Sequence, residues 1–478
     1  MIQKIENIPI TDVSYPVTRA ANLCGFAERG YVEEEYFMYG TANVYGMQDG
    51  ACGCAGEAVI RFADAPYVNR FLVRRPADIS KASGRVAIEI LNATSGVDID
   101  RTWVLCKEQM MREGDVYIGI TSKPSSLRPL HKADPERYKA LYWSNPNPAR
   151  LPLSIIAESA NGGALEQGSE MGLFWDMLTD LHVRIRGGAQ FLGGIEPKYV
   201  YLIGWSQSCG YIIRYMNTFV NTGRAPQFDG CFVAGGVRRK TPPLNQYEAG
   251  SMPGEPGNNI EKASVPYIMM QTESENAAMN NIDALVPDSD DPEFMVRTYE
   301  VPGATHDSQY TMLDYFGDRK DEYRIGIILD YPGEEPYPND YPYEFAFSAA
   351  YAQMCRWAEK KIPAIHTPKI PLNLRNENIR DQFGNAVGGW RLPPIEHPAC
   401  TYFPYCTPIN QGGIPGLFGC RHPFEEGKLQ EMYGTLAKYE ELIAASADKC
   451  IEEGTLLARD RQACIDYCVK EAKLFGLE

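Results

Sequence analysis

The stretch "YVYLIGWSQSCGYIIRYMN", Tyr199 to Asn217, restricts the architecture of this chain more than any other. It begins as an apolar, β-branched and aromatic run, turns at Gly204-Trp205-Ser206-Gln207-Ser208, and resumes with apolar residues at helical spacing. A strand that becomes a helix within one or two residues brings two backbones close together. Side chains two positions before and after the apex must then be small, as Gly204 and Ser208 are. The apex residue is held in a strained conformation with its hydroxyl pointing away from the backbone. This is the pattern of a nucleophile elbow, in the form G-x-S-x-S rather than the commoner G-x-S-x-G.

The surrounding sequence supplies the elements such a turn needs. Apolar runs at 85–94, 115–121, 199–205, 228–236, 265–272 and 294–303 read as strands, with helices at 101–114 and 172–188. In the second helix Phe174, Met177, Leu178, Leu181 and Ile185 share one face. Near-continuous apolar strands separated by helices predict an α/β fold with a mostly parallel sheet buried on both faces. Segments 33–45 and 69–76 read as an antiparallel lead-in, 345–361 as a helix, and 426–475 as two or three terminal helices. The expected organisation is a core over 1–306 with insertions at 122–169 and 236–263. A lid- or cap-like region over 307–425 and C-terminal helices over 426–478 complete it. Insertions this long exceed ordinary connections, and some of them should cover the carboxyl edge of the sheet, where such folds bind ligands. The Tyr- and Pro-rich stretch 331–345 reads either as a pocket wall suited to aromatic or bulky acyl groups or as lid packing.

A serine hydroxyl is a poor nucleophile unless a base takes its proton and a third group orients the base. In this architecture the partners follow the serine in the order acid, then histidine. Of the six histidines, His306 in "VPGATHDSQ" stands just past the last predicted strand, where the base belongs. The acid should leave the tip of the preceding strand, where "PYIMMQTESEN" offers Glu273 and Glu275 without separating them. Donors for the developing oxyanion are expected from the Gln207 amide and from one amide of Asn92, Ala93 or Thr94, in the loop after the strand 85–92.

The 478 residues carry a net charge of −16 with no Lys/Arg cluster, which argues against a nucleic-acid partner. No apolar run is long enough to span a bilayer. The start, "MIQKIENIPITDVSYP", has no uninterrupted apolar stretch and no small-residue cleavage site, so a cytoplasmic protein is expected. Thirteen cysteines, an odd number spread over a long chain, do not resemble a secreted disulfide framework, and most are expected to be reduced and partly buried. The spacing of His397, Cys400, Cys406, Cys420 and His422 fits no short-loop zinc pattern, and no metal is expected. "CGC" at 52–54 reads as a turn, and "DSDDPE" at 288–293 as a solvated charge run without calcium-loop spacing. Oligomeric state is not readable from the sequence.

The segments "RGYVEEEYFMYGTANVY", "YVNRFLVRRP", "GRVAIEILNATSGVD", "GWSQSCGYIIRYMN", "MMQTESE", "VPGATHDS", "DQFGNAVGGWRLP" and "RHPFEEGKLQEMYGTLAKY" occur in this order. Together they resemble the bacterial alpha/beta-hydrolase-domain proteins, an esterase-like group, from about Gly30 to Phe475. The resemblance implies an α/β-hydrolase fold with helices on both faces of the central sheet and a serine triad. Ser206 matches the family's elbow serine, His306 its histidine, and Glu273 and Glu275 its acidic pair. Other members commonly have Asp at the second acidic position, so Glu275 departs from that pattern, and Cys209 stands where glycine is frequent. The implied activity is hydrolysis of a small-molecule carboxylic ester through an acyl-enzyme, with no cofactor. An amide or lactone as the scissile group, or a ligand-binding protein on a disabled hydrolase fold, are the alternatives.

Overall fold

The computed structural model describes the chain outside residues 18–23, 49–56, 95, 154–167, 237–240, 251–254, 256, 278–285, 309, 312–319, 327–336 and 406–416. The chain divides into two compact units. The first comprises Met1–Tyr267, Asp291–Met295 and Leu313–Leu329, and the second Ile268–Asp290, Val296–Met312 and Asp330–Glu478.

In the first unit the strands stand in the order β1 (Ile2–Ile8), β2 (Tyr31–Met47), β3 (Ala58–Pro76), β5 (Val116–Ile120), β4 (Arg85–Ile90), β7 (Tyr199–Trp205) and β8 (Gly230–Ala234). The two-residue β6 (Tyr142–Trp143) pairs with β3. β5, β4, β7 and β8 are mutually parallel, whereas β1, β2, β3 and β5 are joined by antiparallel pairings. Apart from Arg85 and Tyr199, every residue of β4, β5, β7 and β8 is buried, as the unbroken apolar runs require of strands covered on both faces. Helices α1 (Arg101–Glu113), α2 (Phe174–Arg186) and α3 (Gln207–Tyr215) fall where the periodicity places them, and the five predicted face residues of α2 are buried.

β1 was not foreseen. Only Ile2 and Ile8 of "IQKIENI" are buried, so the strand carries no period-two signal. Its backbone pairing with β2 defines it instead.

β9 (Ala263–Thr272), which begins in the first unit and ends in the second, neighbours β11 (Phe294–Val301), which neighbours β10 (Ser289–Asp291). β9 passes directly into the short helix α4 (Glu273–Ala277). A small antiparallel sheet has the order β12 (Tyr337–Pro338), β14 (Cys420–Pro423), β13 (Cys400–Phe403). Helix α5 (Glu344–Lys360) and three terminal helices, α6 (Lys428–Tyr433), α7 (Leu436–Glu453) and α8 (Arg461–Leu474), complete the unit. The 288–293 run is more than a solvated charge run. Ser289–Asp291 is a strand, Asp288 accepts from the Thr298 amide at 2.9 Å, and Asp290 pairs with the buried Arg297. Of the Tyr- and Pro-rich stretch, residues 337–345 are described, and in them Tyr341 and Tyr343 are buried.

The cysteines among the described residues are free and buried, including Cys464 and Cys468 on α8. Cys52, Cys54 and Cys406 lie outside the described residues. Among the described residues no His, Cys, Asp and Glu side chains gather as metal ligands would, and no helix is long and apolar enough to cross a membrane.

Candidate active site

In the first unit, β7 ends at Trp205 and α3 begins at Gln207, leaving Ser206 alone at the apex. Its backbone takes φ 55° and ψ −116°, outside the allowed regions of ordinary L-residues, and the side chain is half-buried. Two backbone bonds over-determine that conformation. The Ser206 amide donates to Ala234 O of β8 at 2.8 Å, and the Cys209 amide donates to Ser206 O at 2.9 Å.

The small residues flanking the apex are sterically required. A Cβ at Gly204 would stand 3.1 Å from Ser208 Cβ and 3.0 Å from Ile212 Cδ1. Gly236, two residues past β8, is the tighter contact, because a Cβ there would fall 2.2 Å from Ser206 O and 2.6 Å from Ser206 Cα. The elbow therefore needs a glycine thirty positions downstream of its serine, and "CFVAGG" signals it only as the glycine-rich end of a strand. Cys209 lies inside α3 with its thiol on Ala234 O at 3.1 Å, the same oxygen that accepts from the Ser206 amide.

The three candidate loop amides are in different situations. The Asn92 amide donates to Ile99 O at 3.0 Å, and the Thr94 amide donates to Asn92 Oδ1 at 2.7 Å. The Ala93 amide lies 3.4 Å from Gln207 Oε1, a long contact that points it at the residue after Ser206. The Asn92 side chain ties loop to elbow by donating from Nδ2 to Trp205 O at 3.0 Å.

Buried charge fixes the far end of this loop. Arg70 on β3 pairs with Glu35 on β2 and with Asp98, at 2.9 Å in the second case. Four residues further along β3, Arg74 pairs with Glu33 at 2.9 Å and with Asp100 at 2.5 Å. These six side chains are essentially fully buried. Glu89 on β4 then caps α1, accepting from the Thr102 and Trp103 amides at 2.8 and 3.0 Å. Burial and the neighbouring Asp100 charge push its carboxyl up to about 7.

The second unit holds the histidine and both acids. His306 Nδ1 is 2.5 Å from Glu275 Oε1, and both side chains are buried. Glu275 is held in turn through Oε2, which accepts from the Thr272 hydroxyl at 2.8 Å and from the Thr272 amide. The His306 amide donates to Ser274 Oγ at 3.0 Å, and that hydroxyl donates to Pro404 O at 2.5 Å. Glu273, two residues earlier, turns elsewhere. It accepts from the Gly303 amide at 2.7 Å, Asn378 Nδ2 at 3.1 Å and Arg380 Nη2 at 2.7 Å. Arg380 also donates to Gly384 O at 2.9 Å, which joins the "GNAVGG" segment to the acidic pair. Sequence spacing could not separate the acids, because both leave β9 within three residues. Which of them meets His306 depends on the first turn of α4.

A family model described as "Alpha/beta hydrolase domain" matches residues 5–466 of the chain. No curated protein matches. Among solved structures, an alpha-beta serine hydrolase homologue from Coxiella burnetii aligns at 11% identity and TM-score 0.26, over 54% of this chain and 89% of that one. Esterase Est22 aligns at 10% identity and TM-score 0.32, over 64% and 83% of the two chains. A bacterial heroin esterase aligns at 12% identity and TM-score 0.30, over 66% and 90%.

Proposed function

Since this chain belongs to the alpha/beta hydrolase domain family, we propose that it is a serine hydrolase that cleaves a small-molecule carboxylic ester through an acyl-enzyme. The observation that carries the proposal is Ser206, a non-glycine residue held at φ 55° on a one-residue turn between β7 and α3. Strain of this kind persists only where surrounding structure enforces it, and it projects the side chain off the backbone.

In the proposed reaction His306 takes the proton of Ser206 as the hydroxyl attacks the ester carbonyl. Glu275 accepts from Nδ1, which leaves Nε2 as the basic nitrogen and stabilises the imidazolium that forms. The Gln207 and Ala93 amides take the oxyanion, with Asn92 Nδ2 holding the Ala93 loop against Trp205. The alcohol leaves with the proton from His306. Water, deprotonated by the same imidazole, then releases the acid and frees Ser206. Glu273 has no part in proton transfer and fixes the loop that bears Gly303 and His306. The proposed steps draw on no cofactor.

Hydrolysis of matched p-nitrophenyl esters and p-nitroanilides by wild type and Ser206→Ala tests this reading. It predicts ester turnover that disappears in the variant. Faster cleavage of the anilide would make the enzyme an amidase with the same machinery, and turnover unaffected by Ser206→Ala would refute the assignment.

A further inference from the structure

Behind the elbow, in the first unit, lies a lysine that the proposed reaction does not use. Lys123 is fully buried, and its Nζ is 3.0 Å from Leu91 O, 2.7 Å from Ser122 Oγ and 3.2 Å from Ser208 Oγ. The same nitrogen stands 4.4 Å from the centre of the Tyr211 ring. Ser122 reinforces the cluster by donating to Leu91 O at 2.6 Å. Leu91 immediately precedes Asn92 and Ala93, and Ser208 is the second residue of α3, directly after Gln207. One side chain therefore grips both the strand end that presents the Ala93 amide and the helix start that presents the Gln207 amide. Burying an ammonium is costly, and a methionine would fill similar space without that cost.

Resting on the serine-hydrolase reading, we propose that Lys123 is a positioning residue that clamps the oxyanion loop to the elbow helix, with Ser208 as its contact on the helix. The departure from G-x-S-x-G at residue 208 then has a purpose, because a glycine there would offer the lysine no oxygen.

Only the protonated lysine donates to all three oxygens with charge-assisted bonds; the neutral amine donates two and holds the third contact only as a weaker acceptor for a serine hydroxyl. Burial lowers this lysine from 10.5 to about 7, against the opposing charge of Asp98. Asp98 is itself paired with Arg70, and Tyr211 presents only its ring to the lysine. Catalysis accordingly falls as pH rises through about 7, in kcat more than in KM. Stability moves the other way. Between about 7 and 10.5 the unfolded chain binds more protons at this residue than the folded chain, so folding stability rises with pH across that window. Loss of activity through unfolding would run in the opposite sense.

The test is the rate at which a fluorophosphonate labels Ser206, with kcat and KM on an active ester, measured across pH for wild type, Lys123→Met, Lys123→Arg and Ser208→Gly. Thermal melts accompany each measurement. The clamp predicts that wild type shows an alkaline limb near pH 7. Lys123→Met should label on the order of 10²-fold more slowly, without that limb and without a lower melting temperature. Lys123→Arg, charged throughout, should recover rate at alkaline pH, and Ser208→Gly should show a smaller loss with a displaced limb. Should Lys123→Met not fold, Ser208→Gly decides the matter. Wild-type rates and profiles in both Lys123→Met and Ser208→Gly would overturn the clamp and leave the hydrolase reading intact. Loss of rate in step with loss of stability, with the alkaline limb retained, would also overturn it. A folded wild type that does not label would remove the hydrolase reading and the clamp together.

Discussion

At Ser206 the backbone conformation, the half-buried side chain and the enforced closeness of Gly204, Ser208 and Gly236 all follow from turning a strand into a helix at one residue. Gly236→Ala puts a methyl into the Ser206 backbone, and neither backbone can retreat without breaking the Ser206–Ala234 bond. That variant should lose about 1–3 kcal/mol of stability by overpacking, and the proposed ester hydrolysis should fall further than stability accounts for. Paired urea melts and kcat measurements check this. The two acids separate just as sharply. Glu275→Gln keeps the shape of the pair but presents an amide to His306 Nδ1, so kcat should drop by about 10⁴-fold with little change in melting temperature. Glu273→Gln should do the reverse. It removes the charge that Arg380 and Asn378 meet, lowering stability by roughly 2 kcal/mol while kcat of the folded enzyme stays within about tenfold of wild type.

Among the elements, the β2–β3 hairpin does more than lead into the sheet. Glu33 and Glu35 alternate with period two on β2, Arg70 and Arg74 are two such steps apart on β3, and the acids of "DID" at 98–100 have the same spacing. Glu33 is the direct cross-strand partner of Arg74. Each guanidinium thus sits between a strand carboxylate and a loop carboxylate, and the loop from Asn92 onwards is anchored by charges with no water to compete for them. Asp98→Asn leaves Arg70 buried and under-neutralised. It should cost about 3–5 kcal/mol in chemical denaturation and, by removing a charge that supports protonated Lys123, move the alkaline limb of activity to lower pH. These triads were not legible in the sequence. Charged residues in a strand read as solvent-facing, and only register and loop closure reveal that they are buried partners. The apolar strands β4, β5, β7 and β8 were legible, because burial on both faces leaves an unbroken hydrophobic run.

For the molecule as a whole, the alternation of buried strands and helices was readable from pattern, the α/β-hydrolase class followed from the resemblance built on the elbow and its partner motifs, and the family match over residues 5–466 agrees with that class. What pattern could not supply were contacts set by distant segments: Gly236 against Ser206, Arg380 against Glu273, Lys123 against Ser208. Each joins residues at least 30 positions apart, and none leaves a local period or motif. The site is therefore half local and half global. The elbow and the acid–histidine order are written in short motifs, whereas the groups that hold them are written nowhere in particular. The central claim is that Ser206 is an activated nucleophile served by His306. It is tested most directly by fluorophosphonate labelling of wild type, Ser206→Ala and His306→Ala, with the modified residue located by peptide mass spectrometry. The account predicts a single adduct on Ser206 in wild type, none in Ser206→Ala, and labelling slowed by about 10³-fold or more in His306→Ala. An adduct on another residue, or a folded wild type that does not label at all, would contradict it.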